Sequence, residues 1–253
     1  MEITFLGTGT SQGMPIIGCD CPICASQDPR DKRLRSSIHI QLNGKSIVVD
    51  TGPDFRYQIL RAKISNLDAI FFTHEHKDHV AGLDDIRPFN YLKNNIPDVF
   101  CTDAVEKALR RDYYYAFEEP KYPGVPEFHL HRIENTPFKY AGETIIPIQV
   151  MHYKMPVLGF RIQNFAYITD ANFIAEAEFE KLKNLDVLVL NALRRTEHIS
   201  HFSLAQAIEV IEKIKPKKAY LTHISHQLDF HEKLLAELPP FIEPAYDGLV
   251  LNL

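Results

Sequence analysis

The run Thr73-His74-Glu75-His76-Lys77-Asp78-His79 constrains this chain more than any other stretch. It reads His-x-His-x-Asp-His, and these are the side chains that bind zinc, manganese or iron. Directly upstream, Leu67-Asp68-Ala69-Ile70-Phe71-Phe72 is apolar and aromatic-rich, which predicts a buried strand over 67–72. His74 and His76 are two apart, so extended backbone points them the same way. Asp78 and His79 then turn toward a second metal as the chain enters the next element. A lone histidine at a strand end is usually solvated or bonded to backbone. Four ligand-type residues at this spacing after an apolar strand point to a metal site.

The chain has 253 residues and no Gly/Ser linker or internal repeat, so a single domain over 1–253 is the expectation. Its net charge of -5 gives no basic footprint for nucleic acid. Met1-Glu2-Ile3-Thr4-Phe5-Leu6-Gly7 lacks a signal-peptide pattern, and no run of about 18 apolar residues suits a membrane span. The expected location is the cytoplasm, with no membrane partner. In that reducing compartment, clustered cysteines bind metal more often than they form disulfides.

Strands are predicted over 1–6, 37–42, 46–49, 67–72, 96–101, 128–133, 144–150, 157–163, 165–169, 185–190, 218–222 and 248–252. Helices are predicted over 54–63, 82–91, 102–115, 175–183, 203–214 and 230–238. Asn43-Gly44 is the strongest hairpin signal in the chain. Residues 7–34 and 117–127 read as loops. The first half is meander-like, and the second alternates strand and helix.

One motif cannot fill two metal shells, and three further donors stand where apolar strands give way to loops. They are His152, Asp170 after Phe165-Ala166-Tyr167-Ile168-Thr169, and His223 after Lys218-Ala219-Tyr220-Leu221-Thr222. Together they complete a dinuclear centre. One ion takes His74, His76 and His152, and the other takes Asp78, His79 and His223. Asp170 bridges them, because a carboxylate has two oxygens.

This pattern resembles the metallo-β-lactamase-fold hydrolases over essentially the whole chain. The resemblance implies a four-layer αββα sandwich, two packed mixed sheets flanked by helices, with metals at one edge. It implies hydrolysis of esters, amides, thioesters or phosphodiesters. Asp50, in Val48-Val49-Asp50-Thr51-Gly52, matches the family's buried aspartate that orients the ligand loop. A redox branch of the fold carries Glu where this chain has His76, which argues against diiron redox chemistry.

Cys19-Asp20-Cys21-Pro22-Ile23-Cys24 supplies three-quarters of a structural zinc site, with Cys101 or His226 as candidate fourth ligand. Gly7–Pro15, Gly18–Cys24 and Leu221–Gln227 are similar to the phosphoribosyl 1,2-cyclic phosphate phosphodiesterase family of the bacterial carbon–phosphorus lyase pathway. That resemblance assigns a structural zinc to Cys19, Cys21, Cys24 and His226. It also assigns His201 as general acid, with His198 as competitor; a plain N-cap role for Ser200 or Ser203 is the alternative reading of that loop. Asp78 and His201 are thus the candidate catalytic side chains, and Arg35 and Arg87 are candidate phosphate-binding residues. Two active-site divalent ions (Zn or Mn, with Fe a further option) about 3.5–4 Å apart share a bridging hydroxide that attacks a small, cyclic phosphodiester. The substrate suggested is 5-phosphoribosyl 1,2-cyclic phosphate. No basic RNA-gripping arm is visible, which argues against tRNA. The rival readings are a nuclease, thioesterase or lactonase on the same fold, and a non-catalytic metal- or nucleotide-binding module. The Tyr113-Tyr114-Tyr115 cluster suits either a homodimer surface or a roof over the active site.

Overall fold

The computed structural model describes all residues, 1–253. In chain order it runs β1 (Glu2–Gly7), β2 (Ser37–Leu42), β3 (Lys45–Val49), α1 (Phe55–Ala62), β4 (Ala69–Phe71), α2 (Lys77–Val80), α3 (Arg87–Lys93), β5 (Asp98–Cys101), α4 (Asp103–Asp112) and β6 (His129–Arg132). It continues with β7 (Phe138–Tyr140), β8 (Glu143–His152), β9 (Met155–Ile162), β10 (Phe165–Ile168), β11 (Phe173–Ile174), β12 (Val187–Asn191), α5 (Leu204–Ile214), β13 (Lys218–Thr222), α6 (His231–Glu237), β14 (Ile242–Pro244) and β15 (Val250–Asn252). The chain divides into two compact units. Met1–Leu6, Ser37–Glu134 and Gly248–Leu253 form the first; Gly7–Ser36 and Asn135–Asp247 form the second.

The first unit is built on a seven-stranded sheet in the order β15-β1-β2-β3-β4-β5-β6. β2 and β3 form the antiparallel hairpin that Asn43-Gly44 predicts, both turn residues having positive φ. From β3 to β6 the strands are parallel. Parallel neighbours need crossovers, and helices supply them. Val48, Ile70, Phe72, Val80, Leu83, Val105 and Leu109 pack into one apolar cluster that fixes helices onto the sheet. Each large side chain fully buried there contributes about 1.5–3 kcal/mol.

The second unit carries an eight-stranded sheet in the order β11-β8-β9-β10-β12-β13-β14, with β7 beside β8. β8, β9 and β10 are an antiparallel meander; β10, β12, β13 and β14 are parallel, with α5 and α6 as crossovers. Its core joins Ile148, Ile168, Leu188, Leu190, Leu204, Ile211, Leu221 and Leu234. The long loop 7–36 is held by specific bonds. Thr8 donates from N and Oγ1 to Asp247 Oδ1 (2.9 and 2.8 Å), and Leu34 N donates to Asp247 Oδ2 at 2.8 Å. The Arg33 guanidinium is wholly buried, donates to Thr8 Oγ1 at 2.9 Å and to Ala245 O, and burial lowers it to about 10.

Three expectations need correction. The helix predicted over 175–183 is a run of 3-10 turns, Glu176–Leu182, whose buried Glu178 carboxylate accepts from Gln149 N at 2.9 Å. The helix predicted over 82–91 is broken into a 3-10 turn, Leu83–Ile86, and α3. Pro88 in the first turn of α3 lacks an N–H and suits a helix start. The helix predicted to Tyr115 ends at Asp112, because Tyr113 leaves helical backbone (φ -120, ψ 39). The short strands β7, β11 and β14 were not predicted; two or three residues are too few to show a period of two.

Candidate metal-ligating site

Open sheets with parallel strands present ligands beyond the carboxyl ends of those strands. In the first unit β4 ends at Phe71, and Thr73-His74 follows; β3 ends at Val49, and Asp50 follows. In the second unit β10 ends at Ile168 before Thr169-Asp170, β13 ends at Thr222 before His223, and β8 ends in His152 itself. Strain marks the same places. Asp50, Asp170 and His223 have φ of 64, 56 and 55, a left-handed backbone that costs a non-glycine residue about 1 kcal/mol or more.

Within the first unit, Asp50 is fully buried and organises the ligand run. Its Oδ1 accepts from Thr73 N at 2.9 Å, and its Oδ2 accepts from Thr73 Oγ1 at 2.8 Å and from His79 Nδ1 at 2.7 Å. Burial pushes the Asp50 carboxyl up; the charge and hydrogen bond of His79, and the Thr73 bonds, pull against that. The Thr73 hydroxyl spends its proton on Asp50, so at 2.9 Å it accepts from His74 Nδ1. Both Nδ1 atoms are therefore donors, which makes Nε2 the basic nitrogen on His74 and His79. His79 Nε2 lies 3.1 Å from Asp78 Oδ2. The His74 ring meets those of His79 and His76 at 4.2 and 4.7 Å between centroids. The run turns because Asp78 and His79 lie in α2, for which Gly82 makes room. A Cβ at Gly82 would stand 2.1 Å from Gly52 O.

Within the second unit, His152 Nδ1 donates to Ser200 O at 2.8 Å, which again makes Nε2 basic. Asp170 Oδ2 accepts from Thr169 Oγ1 at 2.6 Å and lies 3.2 Å from His223 Nδ1. Ser36 Oγ donates to Gly9 O at 2.9 Å, so at 3.3 Å it accepts from His223 Nδ1. His201 is brought to the same cluster. Its Nε2 is 3.2 Å from Asp170 Oδ1, and its ring stacks on His223 and meets His152 edge-on. His152, Asp170 and His201 present donor atoms all within 4.8 Å of one another, so His201 has metal-ligand geometry. His198 Nδ1 lies 3.2 Å from His201 Nδ1 and 3.2 Å from Ser200 Oγ. Burial lowers the His198 pKa, and the charges of His201 and Arg194 lower it further. Ser203 is the N-cap of α5, reciprocated by Gln206.

The three cysteines of the cluster lie around His226. His226 Nδ1 lies 3.3, 3.3 and 3.5 Å from the sulfurs of Cys19, Cys21 and Cys24. A tetrahedral zinc with ordinary Zn–S and Zn–N bonds puts S and N about 3.5 Å apart, so the donors fit. The Cys24 amide, donating to sulfur, lowers Cys21 to about 6, while burial raises Cys24 to about 11. Cys101, the other candidate fourth ligand, ends β5 as a buried thiol raised to about 12 by burial.

Of the two arginines, Arg35 Nε donates to Ser11 O at 3.1 Å, and Arg87 is paired with Asp84 in its own segment. Sequence reasoning missed Thr73, Ser36 and the Ser200 carbonyl as anchors of the imidazoles. It also missed Asn191, whose buried amide clamps Ala171 N (2.8 Å) and O (2.9 Å) and so fixes the residue after Asp170. The one available signal was an Asn closing the otherwise apolar strand Val187–Leu190.

Residues 45–224 match the beta-lactamase superfamily domain. The chain is 42% identical over 252 residues to the octanoyltransferase of Porphyromonas gingivalis, covering 98% of this chain and 51% of that protein. It is 24% identical over 207 residues to the ribonuclease Z of a Nostoc species, covering 79% and 57%. It thus spans about half the length of these curated relatives. A crystal structure of a new diphosphatase from the PhnP family is 40% identical, with a TM-score of 0.93 over 100% of this chain and 97% of that one. No helix is long and apolar enough to cross a membrane. With the family model spanning most of the chain and the ligand run at its strand end, the chain belongs to the beta-lactamase superfamily and has the metallo-β-lactamase fold.

Proposed function

We propose that this chain is a metal-dependent hydrolase of a small phosphoric diester or diphosphate. The observation that carries the reading is the anchoring of imidazoles. His74, His79 and His152 each give Nδ1–H to an internal acceptor, so each offers Nε2 to a cation. In this reading His74, His76 and His152 would hold one divalent ion and Asp78, His79 and His223 another, with Asp170 as a further carboxylate ligand. Cys19, Cys21, Cys24 and His226 would hold a third, structural ion. Divalent ions in such a site supply a water nucleophile at neutral pH and offset charge on the phosphate. The chain's own residues do the rest. Asp50 and Thr73 hold the ligand run in register, and His201 gives a proton to the leaving oxygen. Arg35 and Arg87 are the candidate phosphate contacts.

The diphosphatase likeness supports phosphorus chemistry, and 5-phosphoribosyl 1,2-cyclic phosphate is the first cyclic substrate to try. The octanoyltransferase name of the longer relative favours one second reading, acyl-thioester chemistry. Metal-supplemented full chain, assayed on bis-p-nitrophenyl phosphate, the cyclic phosphate and octanoyl thioesters, separates them. Turnover of phosphate esters alone supports the proposal, and turnover of thioesters alone replaces it.

A further inference from the structure

Three successive hairpin turns, at Ala141, Tyr153 and Gln163, place a non-glycine residue at positive φ, and Tyr153, between β8 and β9, is the bulky one. Two-residue hairpin turns select Asn or Gly where φ is positive. The chain obeys this at Asn43-Gly44 and uses Ala141-Gly142 between β7 and β8. At the tip that follows His152, however, the residue with positive φ (57) is Tyr153, followed by Lys154. An aromatic residue in that region is an outlier, and such strain gathers at functional sites. Tyr153 is 51% exposed.

Its surroundings are held by one side chain. Asn172, two residues after Asp170, accepts from Tyr153 N at 2.8 Å and donates from Nδ2 to Ile199 O at 3.1 Å. The Asn172 amide therefore ties the Tyr153 tip to the loop that carries His198 and His201. Ile199 in that loop is 67% exposed. Lys154 Nζ lies 5.3 Å from the Tyr153 ring centroid. An exposed aromatic ring and a cation thus follow His152 directly in the chain, and Asn172 ties them to the loop that carries His201.

From this arrangement we infer that Tyr153 is a specificity residue that stacks on a nucleobase, so that the preferred substrates are nucleoside-bearing phosphodiesters or diphosphates. The inference rests on the phosphoester reading above and deepens it. Every base has a π-face, so stacking on Tyr153 discriminates base-bearing from base-free substrates without discriminating among bases. Lys154 beside the ring complements the substrate's negative charge.

Two substrates with the same leaving group test this: thymidine 5′-(p-nitrophenyl phosphate) and methyl p-nitrophenyl phosphate. In the wild type, the ratio of their kcat/KM values should favour the nucleoside. Tyr153→Ala should lower that ratio about tenfold, mostly through KM. Tyr153→Phe should keep it, and Tyr57→Ala, at an exposed tyrosine in the other unit, should leave it as in the wild type. An unchanged ratio in Tyr153→Ala, or an equal fall in Tyr57→Ala, overturns the inference. Calorimetric binding of AMP against ribose 5-phosphate reads the same preference without turnover. Loss of turnover on every phosphoester would sink the proposed function; absence of an AMP preference would sink this inference.

Discussion

The first unit keeps its donors in one contiguous run after β4, while the second gathers His152, Asp170, His201 and His223 from four separate strand ends and loops. The local solution is nonetheless the same in both. An internal acceptor takes Nδ1–H of each anchored imidazole: Asp50 and Thr73 in one unit, the part-buried Ser200 carbonyl in the other. Left-handed backbone aims a carboxylate or imidazole out of a strand end in both, at Asp50, Asp170 and His223. What the chemistry requires is a held ring at a strand end. Sequence contiguity is incidental to it.

Changes that strike one set and spare the other sharpen this comparison. His201→Ala removes the proposed proton donor from the second unit only, and should lower kcat by about 10²–10⁴. A pH–rate profile that loses one limb, with metal content kept, identifies an acid; loss of a metal identifies a ligand instead. Cys21→Ser leaves both histidine sets intact. It should release one metal per chain and cost about 3 kcal/mol, the contribution of a ligand at about a hundredfold over its Kd. That is roughly a 6–12 °C fall in Tm by calorimetry. Asp50→Asn acts only on the first unit's run and should weaken activity or metal affinity 10–100-fold with little loss of fold. A larger effect in Asn191→Ala than in Asp50→Asn would break the symmetry between the two anchors.

The smallest effect compares the units through pH. His39 in the first, bonded to Ser46 Oγ at 2.8 Å, and His231 in the second are both buried, and burial lowers each from 6.5 to about 4. In His231, Arg33 and Arg30 add to that depression. A base with a depressed folded pKa stays neutral in the native state while the unfolded chain takes up a proton. Stability is therefore whole above pH 6.5 and is lost as pH falls toward 4, by at most about 1.4 kcal/mol per pH unit for each group. Denaturant midpoints between pH 7 and 4 should fall accordingly. A single transition throughout would support one cooperative domain, and two separate transitions would break that expectation.

The sequence made the contiguous half of the site plain, because an apolar strand followed by four donors is legible without tertiary information. The donors His152, Asp170 and His223 were legible as strand-end residues, since β8, β10 and β13 read as apolar runs. Their anchors were not. Ser36, Asn191 and the Ser200 carbonyl come from distant chain positions, and backbone carbonyls have no sequence signal at all. Glu178 shows the same limit for the fold, because its buried carboxylate serves Gln149 N from a segment whose composition suggests an ordinary helix.

Metal stoichiometry in Asp170→Ala, measured by inductively coupled plasma mass spectrometry beside phosphodiesterase turnover, tests the central claim most directly. The account predicts about three metals per wild-type chain, falling toward one in the variant as turnover disappears. Wild-type chain that holds one metal or none after supplementation, with no turnover, would contradict it.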